Sequence, residues 1–194
     1  MNFPRHILKW AWFIGGATLV AFSTIVILLP DSTSVSAESV PISSQAASSF
    51  PVRLKIPAIQ VDAAIEHLGL APDGAMDTPK GPSDVAWFDK GTLPGENGSA
   101  VIAGHFGWKD NIPAVFDNLS TLRKGDKLYV ENDKGELTTF VVRESRLFGE
   151  NGNAAEVFNS SDGKAHLNLI TCEGVWNKET KSYSERLVVF TDKE

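Results

Sequence analysis

The sequence predicts an all-β domain: a barrel or sandwich of seven or eight short strands with few helices. Three observations point there. Apolar or alternating runs of five to twelve residues recur from residue 52 onward, Gly/Pro/Asp turns separate them, and only two stretches carry helix signals. The runs cover residues 52–56, 61–67, 99–105, 127–132, 137–148, 166–172 and 186–191. Between them stand Pro72-Asp73-Gly74, Pro94-Gly95-Glu96-Asn97-Gly98 and Asn132-Asp133-Lys134-Gly135, and the last is expected to close a hairpin. The helix signals lie at 113–122, with Pro113 in the first turn, and at 154–158.

The chain has 194 residues, enough for about one domain of roughly 150 residues plus an appendage. From Trp10 to Leu29 twenty consecutive residues carry no charge, and Arg5, His6 and Lys9 precede them. At about 1.5 Å per residue such a helix spans about 30 Å, the hydrocarbon thickness of a bilayer. Val35-Ser36-Ala37 resembles a signal-peptide cleavage site, but the apolar stretch exceeds the roughly 7–15 residues of such signals. The expectation is an uncleaved transmembrane signal-anchor at 10–29, with residues 1–9 cytoplasmic and the rest outside. Residues 31–50 hold eight serines and three alanines and read as part of a flexible linker, 30–50. The folded domain is expected over 51–194, at a cell membrane on its extracellular side. No internal repeat is present.

Formal charge is −6, and Arg5 and Lys9 offset Asp31 and Glu38, so the domain carries the whole excess. With no Lys/Arg cluster, nucleic acid is excluded as an expected partner. One cysteine cannot form an internal disulfide, so the thiol needs another explanation.

That cysteine, Cys172, closes the run 166–172, and after thirteen intervening residues Arg186 opens the next. If the runs pair as an antiparallel hairpin, sulfur and guanidinium become neighbours. His105 ends the run 99–105 after Gly104, which permits close backbone approach. Strand ends at the rim of a barrel gather side chains from distant parts of the chain, and all three residues are expected at such ends. A thiolate attacks carbonyl carbon, an imidazole protonates a departing amine and deprotonates an incoming one, and a guanidinium holds the oxyanion. His166 shares a face with Cys172, but six residues at about 3.3 Å each put it roughly 20 Å away, too far for a base. Each of the three also has an ordinary reading: a buried core thiol, a structural histidine, a surface arginine. His6 and His67 are given no role.

No cofactor and no metal are expected, because one cysteine and scattered histidines lack ligand spacing. The acidic turns at 73–77 and 131–136 do not match a calcium-binding loop and read as solvated turns.

Four stretches together resemble the sortase family of membrane-anchored bacterial cysteine transpeptidases: Leu54-Lys55-Ile56-Pro57-Ala58-Ile59 with Val61-Asp62-Ala63; Trp87-Phe88 through Pro94-Gly95; Gly98 to His105; and Leu169-Ile170-Thr171-Cys172 with Arg186. The resemblance runs from about residue 52 to 192 and is nearest to class F, with class D next. It departs from the family's Thr-Leu-X-Thr-Cys motif at Asn168, which is expected to face the sulfur's side and to tune the pocket. The resemblance implies an eight-stranded β-barrel with His105, Cys172 and Arg186 as catalytic residues. It implies cleavage of an LPXTG-like sorting signal of surface proteins after threonine, through a thioacyl-enzyme. The acyl group then passes to an amine such as a cell-wall precursor or a lysine of another protein. Trp108, Asn168, Ile170 and Trp176 are the expected substrate-binding residues. Two rivals stand beside this reading: a surface cysteine peptidase with water as acceptor, and a non-catalytic tethered β-barrel that binds a partner.

Overall fold

The computed structural model describes residues 49–149 and 152–194. The expected cytoplasmic segment, the anchor and all but the end of the linker lie outside the described residues. Among the described residues no helix is long and apolar enough to cross a membrane.

Eight strands form a closed barrel: β1 (Pro51–Ile56), β2 (Val61–Leu68), β3 (Val85–Phe88), β4 (Gly98–Gly104), β5 (Lys127–Asn132), β6 (Leu137–Gly149), β7 (Ala165–Asn177) and β8 (Ser182–Lys193). Around the barrel the order is β1-β2-β3-β4-β7-β8-β6-β5. All pairs are antiparallel except β2 with β3 and β4 with β7. Parallel neighbours need long crossovers. The β2–β3 connection and the route from β4 through β5 and β6 to β7 supply them.

Six of the seven expected runs fall within strands, and the run 99–105 overruns β4 by one residue, His105. The eighth strand, β3, gave no periodic signal because Val85, Ala86 and Trp87 are all buried, so polar residues never alternate with apolar ones. The helix expected at 113–122 is instead a series of turns with one 3-10 segment, Leu119–Thr121. The amides of Asp117, Leu119, Thr121 and Leu122 each donate to the carbonyl three residues back, so the segment winds as tight turns, and the Asp117 carboxylate, accepting from the Gly107 and Ala114 amides, pins it in place. Phe116, Leu119 and Leu122 still bury one apolar face. The second helix exists as a single turn, α1 (Ala155–Phe158), with Val157 fully buried.

Strand alternation gives the β4–β7–β8 sheet two working faces. Ala100 and Ile102, Leu167 and Leu169, and Leu187 and Val189 enter the barrel core. Val101, Ile170, Val188 and Phe190 face outward, where Met76, Phe88, Phe148, Val157 and Phe158 cover them as a second apolar cluster. Each fully buried side chain of this size contributes roughly 1.5–3 kcal/mol. The outer cluster therefore fixes the β2–β3 connection and α1 onto the barrel wall.

Candidate active site

The parallel register of β4 and β7 sets Ala103 opposite Ile170. Two residues further on, His105, one position past the end of β4, stands opposite Cys172. On the other side Cys172 pairs directly with Arg186. Neighbouring strands lie about 4.7–4.9 Å apart, so imidazole, sulfur and guanidinium form a row across three adjacent strands. All three are half-buried and line one groove of about 700 Å³.

The row lies on the outer face of the barrel wall, not at a mouth of strand ends. Only His105 sits past a strand end; β7 continues to Asn177 and β8 begins at Ser182. Beyond Cys172 the register shifts between Glu173 and Trp176, and the β7–β8 ribbon bends there. Gly174 takes φ +87° at this bulge, and an added Cβ would collide with Ser184 Oγ, which accepts from the Val175 amide.

His105 is held from several sides. Its Nε2 lies 2.7 Å from the Pro79 carbonyl oxygen. A carbonyl only accepts, so Nε2 carries the hydrogen and Nδ1 is the nitrogen available for proton exchange. The Trp108 ring packs edge-on at 4.7 Å between centroids. The His105 carbonyl accepts from Phe116, and the Gly104 carbonyl accepts from Thr171 Oγ1 at 2.7 Å. That last bond joins the residue before the imidazole to the residue before the thiol.

Arg186 donates through Nη1 to the Tyr183 and Glu185 carbonyls, each at 2.9 Å, and through Nη2 to Ser182 Oγ at 3.1 Å. These bonds use three of the five guanidinium N–H groups and leave at most two for a substrate oxygen.

The groove walls are apolar: Met76, Phe88, Phe148, Phe158, Ile170 and Val188. Much of one wall is the β2–β3 connection, which the sequence marked only as a solvated turn. A Leu70–Met76 bridge and the Asp73 carboxylate, accepting from the Ala75 amide, shape it into a small hairpin whose Met76 packs on the outer cluster.

Of the four expected substrate-binding residues, Ile170 lines the groove. Trp108 lies behind the imidazole and does not line the groove. Trp176 lies out on the ribbon, 47% exposed and packed on Tyr183, which in turn packs on Phe106. Asn168 requires a correction. It is 2% exposed, and its amide donates to the Val157 carbonyl at 2.6 Å, so the α1 backbone captures it before the groove begins. It borders a separate polar hollow with His166, Arg143 and Arg146. His166 spans Asp192 at 2.8 Å and Asp162 at 3.0 Å, at the far end of β7 from the thiol. Hydrogen bonds from His166, the Lys164 amide and the Ser160 hydroxyl hold the Asp162 carboxyl well below the usual carboxylate range.

Sequence reasoning missed Pro79, whose carbonyl holds His105 and which no motif marks. Among the described residues no group of His, Cys, Asp and Glu could hold a metal ion.

A thiol flanked by an imidazole and a guanidinium, over a groove with apolar walls, defines a cysteine acyl-transfer site on a β-barrel. The sortase domain family matches residues 54–194, and the chain belongs to that family, as a cysteine transpeptidase. Sortase C-1 from Actinomyces oris is 26% identical and superposes with a TM-score of 0.59, covering 74% of each chain. A lid mutant of sortase A from Corynebacterium diphtheriae is 23% identical, with a TM-score of 0.59 over 78% of this chain and 74% of that one. The pilus-related sortase C of Group B Streptococcus is 23% identical, with a TM-score of 0.58 over 77% and 69%. No curated protein matches the sequence.

Proposed function

We propose that the chain is a membrane-anchored, class F-like sortase that cleaves an LPXTG-like sorting signal after threonine and transfers the acyl group to an amine. The observation that carries this is the row of Cys172 between His105 and Arg186 beside an apolar groove. Cys172 thiolate attacks the threonine carbonyl carbon, and Arg186 donates to the oxygen as charge develops there. The C–N bond breaks and His105, through Nδ1–H, protonates the departing amine. An incoming amine then attacks the thioester, gives its proton to His105, and the thiolate leaves. Sequence class, the apolar segment 10–29 and the serine-rich linker support an extracellular site tethered to a cell membrane. There a surface-protein substrate and a cell-wall precursor or a lysine of another protein meet. Ile170 and the Met76 wall are the groove surfaces we assign to the sorting signal.

The test is incubation of the 51–194 domain with an LPXTG peptide, with and without triglycine. A new peptide–triglycine amide, lost in Cys172→Ala, is expected. Cleavage that yields only the acid, whatever the amine concentration, overturns the transferase reading in favour of hydrolysis.

A further inference from the structure

The groove face of His105 is set by its chemistry, but the back of the ring is held by a group with no obvious reason to be there. Its Nε2–H donates to the Pro79 carbonyl at 2.7 Å. The carbonyl of Pro79 and the amide N–H of Lys80 belong to one planar peptide unit. That N–H donates to Oε1 of Glu66 at 3.1 Å. The three groups form one chain: Glu66 carboxylate, Pro79–Lys80 peptide, His105 imidazole.

We infer that Glu66 is a positioning residue for the acyl-transfer reaction, acting on His105 through the Pro79–Lys80 peptide group. The inference rests on the reading of His105 as the proton-transfer residue. A nucleophile's base is commonly oriented by a third group, and that group is usually a carboxylate bonded directly to the ring. Here a peptide stands between. Hydrogen bonds in series polarise one another, so an anion accepting from the N–H makes the carbonyl a stronger acceptor. A stronger acceptor holds Nε2 protonated, favours the tautomer with Nδ1 open toward the groove, and stabilises the imidazolium that forms when the thiol ionises.

The local structure is built to keep this chain in place. Glu66 sits within β2, opposite Ala86 of β3, so its backbone cannot drift. Pro79 is buried and its ring restricts the backbone that aims the carbonyl. Trp108 covers the imidazole, limiting its rotation. The Phe116 amide holds the His105 carbonyl. The charged and titratable groups around the ring are Cys172 of β7, Arg186 of β8, and Asp73 and Asp77 of the β2–β3 connection, all lining the same groove. Asp117 binds the Gly107 amide two residues on. The carboxylate bonded to the Pro79–Lys80 peptide is that of Glu66.

The experiment compares Glu66→Gln and Glu66→Ala with the parent domain and with His105→Ala. Gln keeps an acceptor for the Lys80 amide but removes the charge; Ala removes both. Three readouts are taken: kcat and KM for peptide–triglycine ligation, the pH profile of kcat/KM, and the ¹⁵N shifts of labelled His105. Glu66→Ala is expected to lower kcat about threefold to tenfold with little change in KM, the scale of one net hydrogen bond, and Glu66→Gln less. The profile limb that reports His105 is expected to move to lower pH in both variants. The ¹⁵N shifts are expected to show the Nε2–H tautomer in the parent and a mixture in Glu66→Ala. A structural role alone would change melting temperature without moving the tautomer or the limb. If Glu66→Ala does not fold, Glu66→Gln carries the test. Unchanged tautomer and profile in a folded Glu66 variant, with His105→Ala inactive, overturn the inference alone. A fully active His105→Ala overturns the function it rests on.

Discussion

Gly104→Ala tests whether the backbone packing behind His105 sets the geometry of the site. A Cβ at Gly104 would lie 2.5 and 2.7 Å from two carbons of the Phe116 ring and 2.8 Å from Val115 Cγ1. Comfortable carbon contacts are about 3.5–4.0 Å, so the ring must retreat by about 1 Å. Phe116 is fully buried in the barrel core and has no void to enter. Overpacking of this kind costs about 1–3 kcal/mol, and reduced freedom of the unfolded chain returns about 0.4–1. The net loss is about 1–2 kcal/mol, or a melting temperature lower by about 2–8 °C. Activity is expected to fall further than stability, because the Phe116 amide holds the His105 carbonyl. A displacement of about 1 Å between imidazole and thiol can cost about 10²-fold. Differential scanning calorimetry and ligation kinetics measure both. Gly81→Ala is the control, since its added Cβ would approach nothing nearer than 3.7 Å. A Gly104→Ala domain that matches Gly81→Ala in melting temperature and kcat/KM refutes the reasoning.

Thr171→Val removes the hydroxyl that donates to the Gly104 carbonyl. A loss of about 0.5–1.5 kcal/mol is expected by chemical denaturation, with kcat reduced more than KM is raised. Arg186→Lys keeps the charge but loses the fork that binds the Tyr183 and Glu185 carbonyls. A kcat lowered by about 10²-fold, at a melting temperature within about 4 °C of the parent, is expected from ligation kinetics and calorimetry. Asp162 has its carboxyl depressed in the folded state, so its contribution is present above the ordinary carboxylate range and is lost as pH falls through and below it. Asp162→Asn is therefore expected to melt lower than the parent near pH 7, with the gap beginning to narrow only below about pH 4 and narrowing further as pH falls; a gap independent of pH contradicts that assignment.

What the sequence made legible followed from periodicity and pairing. Period-two runs located seven strands, and thirteen residues between Cys172 and Arg186 were enough to place sulfur beside guanidinium. His105 was within reach because glycine and a loop marked the end of its strand. The rest depended on contacts that leave no local trace. β3 is buried on both faces and so has no alternation. Residues 113–122 carry helical spacing, but the amides of Asp117, Leu119, Thr121 and Leu122 bond to carbonyls three residues back, and the turn is held by the Asp117 carboxylate on the Gly107 and Ala114 amides. Asn168 has the parity of the thiol, yet parity says which side a residue faces and not what covers it; α1 covers it. The β2–β3 connection reads as polar turn chemistry, while its role as a groove wall depends on one residue, Met76, meeting an outer cluster assembled from six other segments.

The location of the site on the outer wall has a physical consequence. Alternation divides β7 between two tasks: Leu167, Leu169 and Thr171 point inward, and Asn168, Ile170 and Cys172 point outward. A slip of one residue between β4 and β7 would exchange these sets, burying the thiol and exposing the leucines. Apolar burial opposes such a slip everywhere along the strand, but it does not tell one threonine-sized position from another near the end, where Gly104 has no side chain to pack. There the Thr171 hydroxyl bonded to the Gly104 carbonyl supplies the missing register signal, one residue before both reacting groups. The residue next to the nucleophile is thus where fold specification and site geometry become the same requirement. Thr171→Ser, which keeps the hydroxyl and loses only a methyl group, is accordingly expected to retain most of the ligation rate that Thr171→Val loses. Equal loss in both variants would show that the methyl packing, not the hydrogen bond, holds the register.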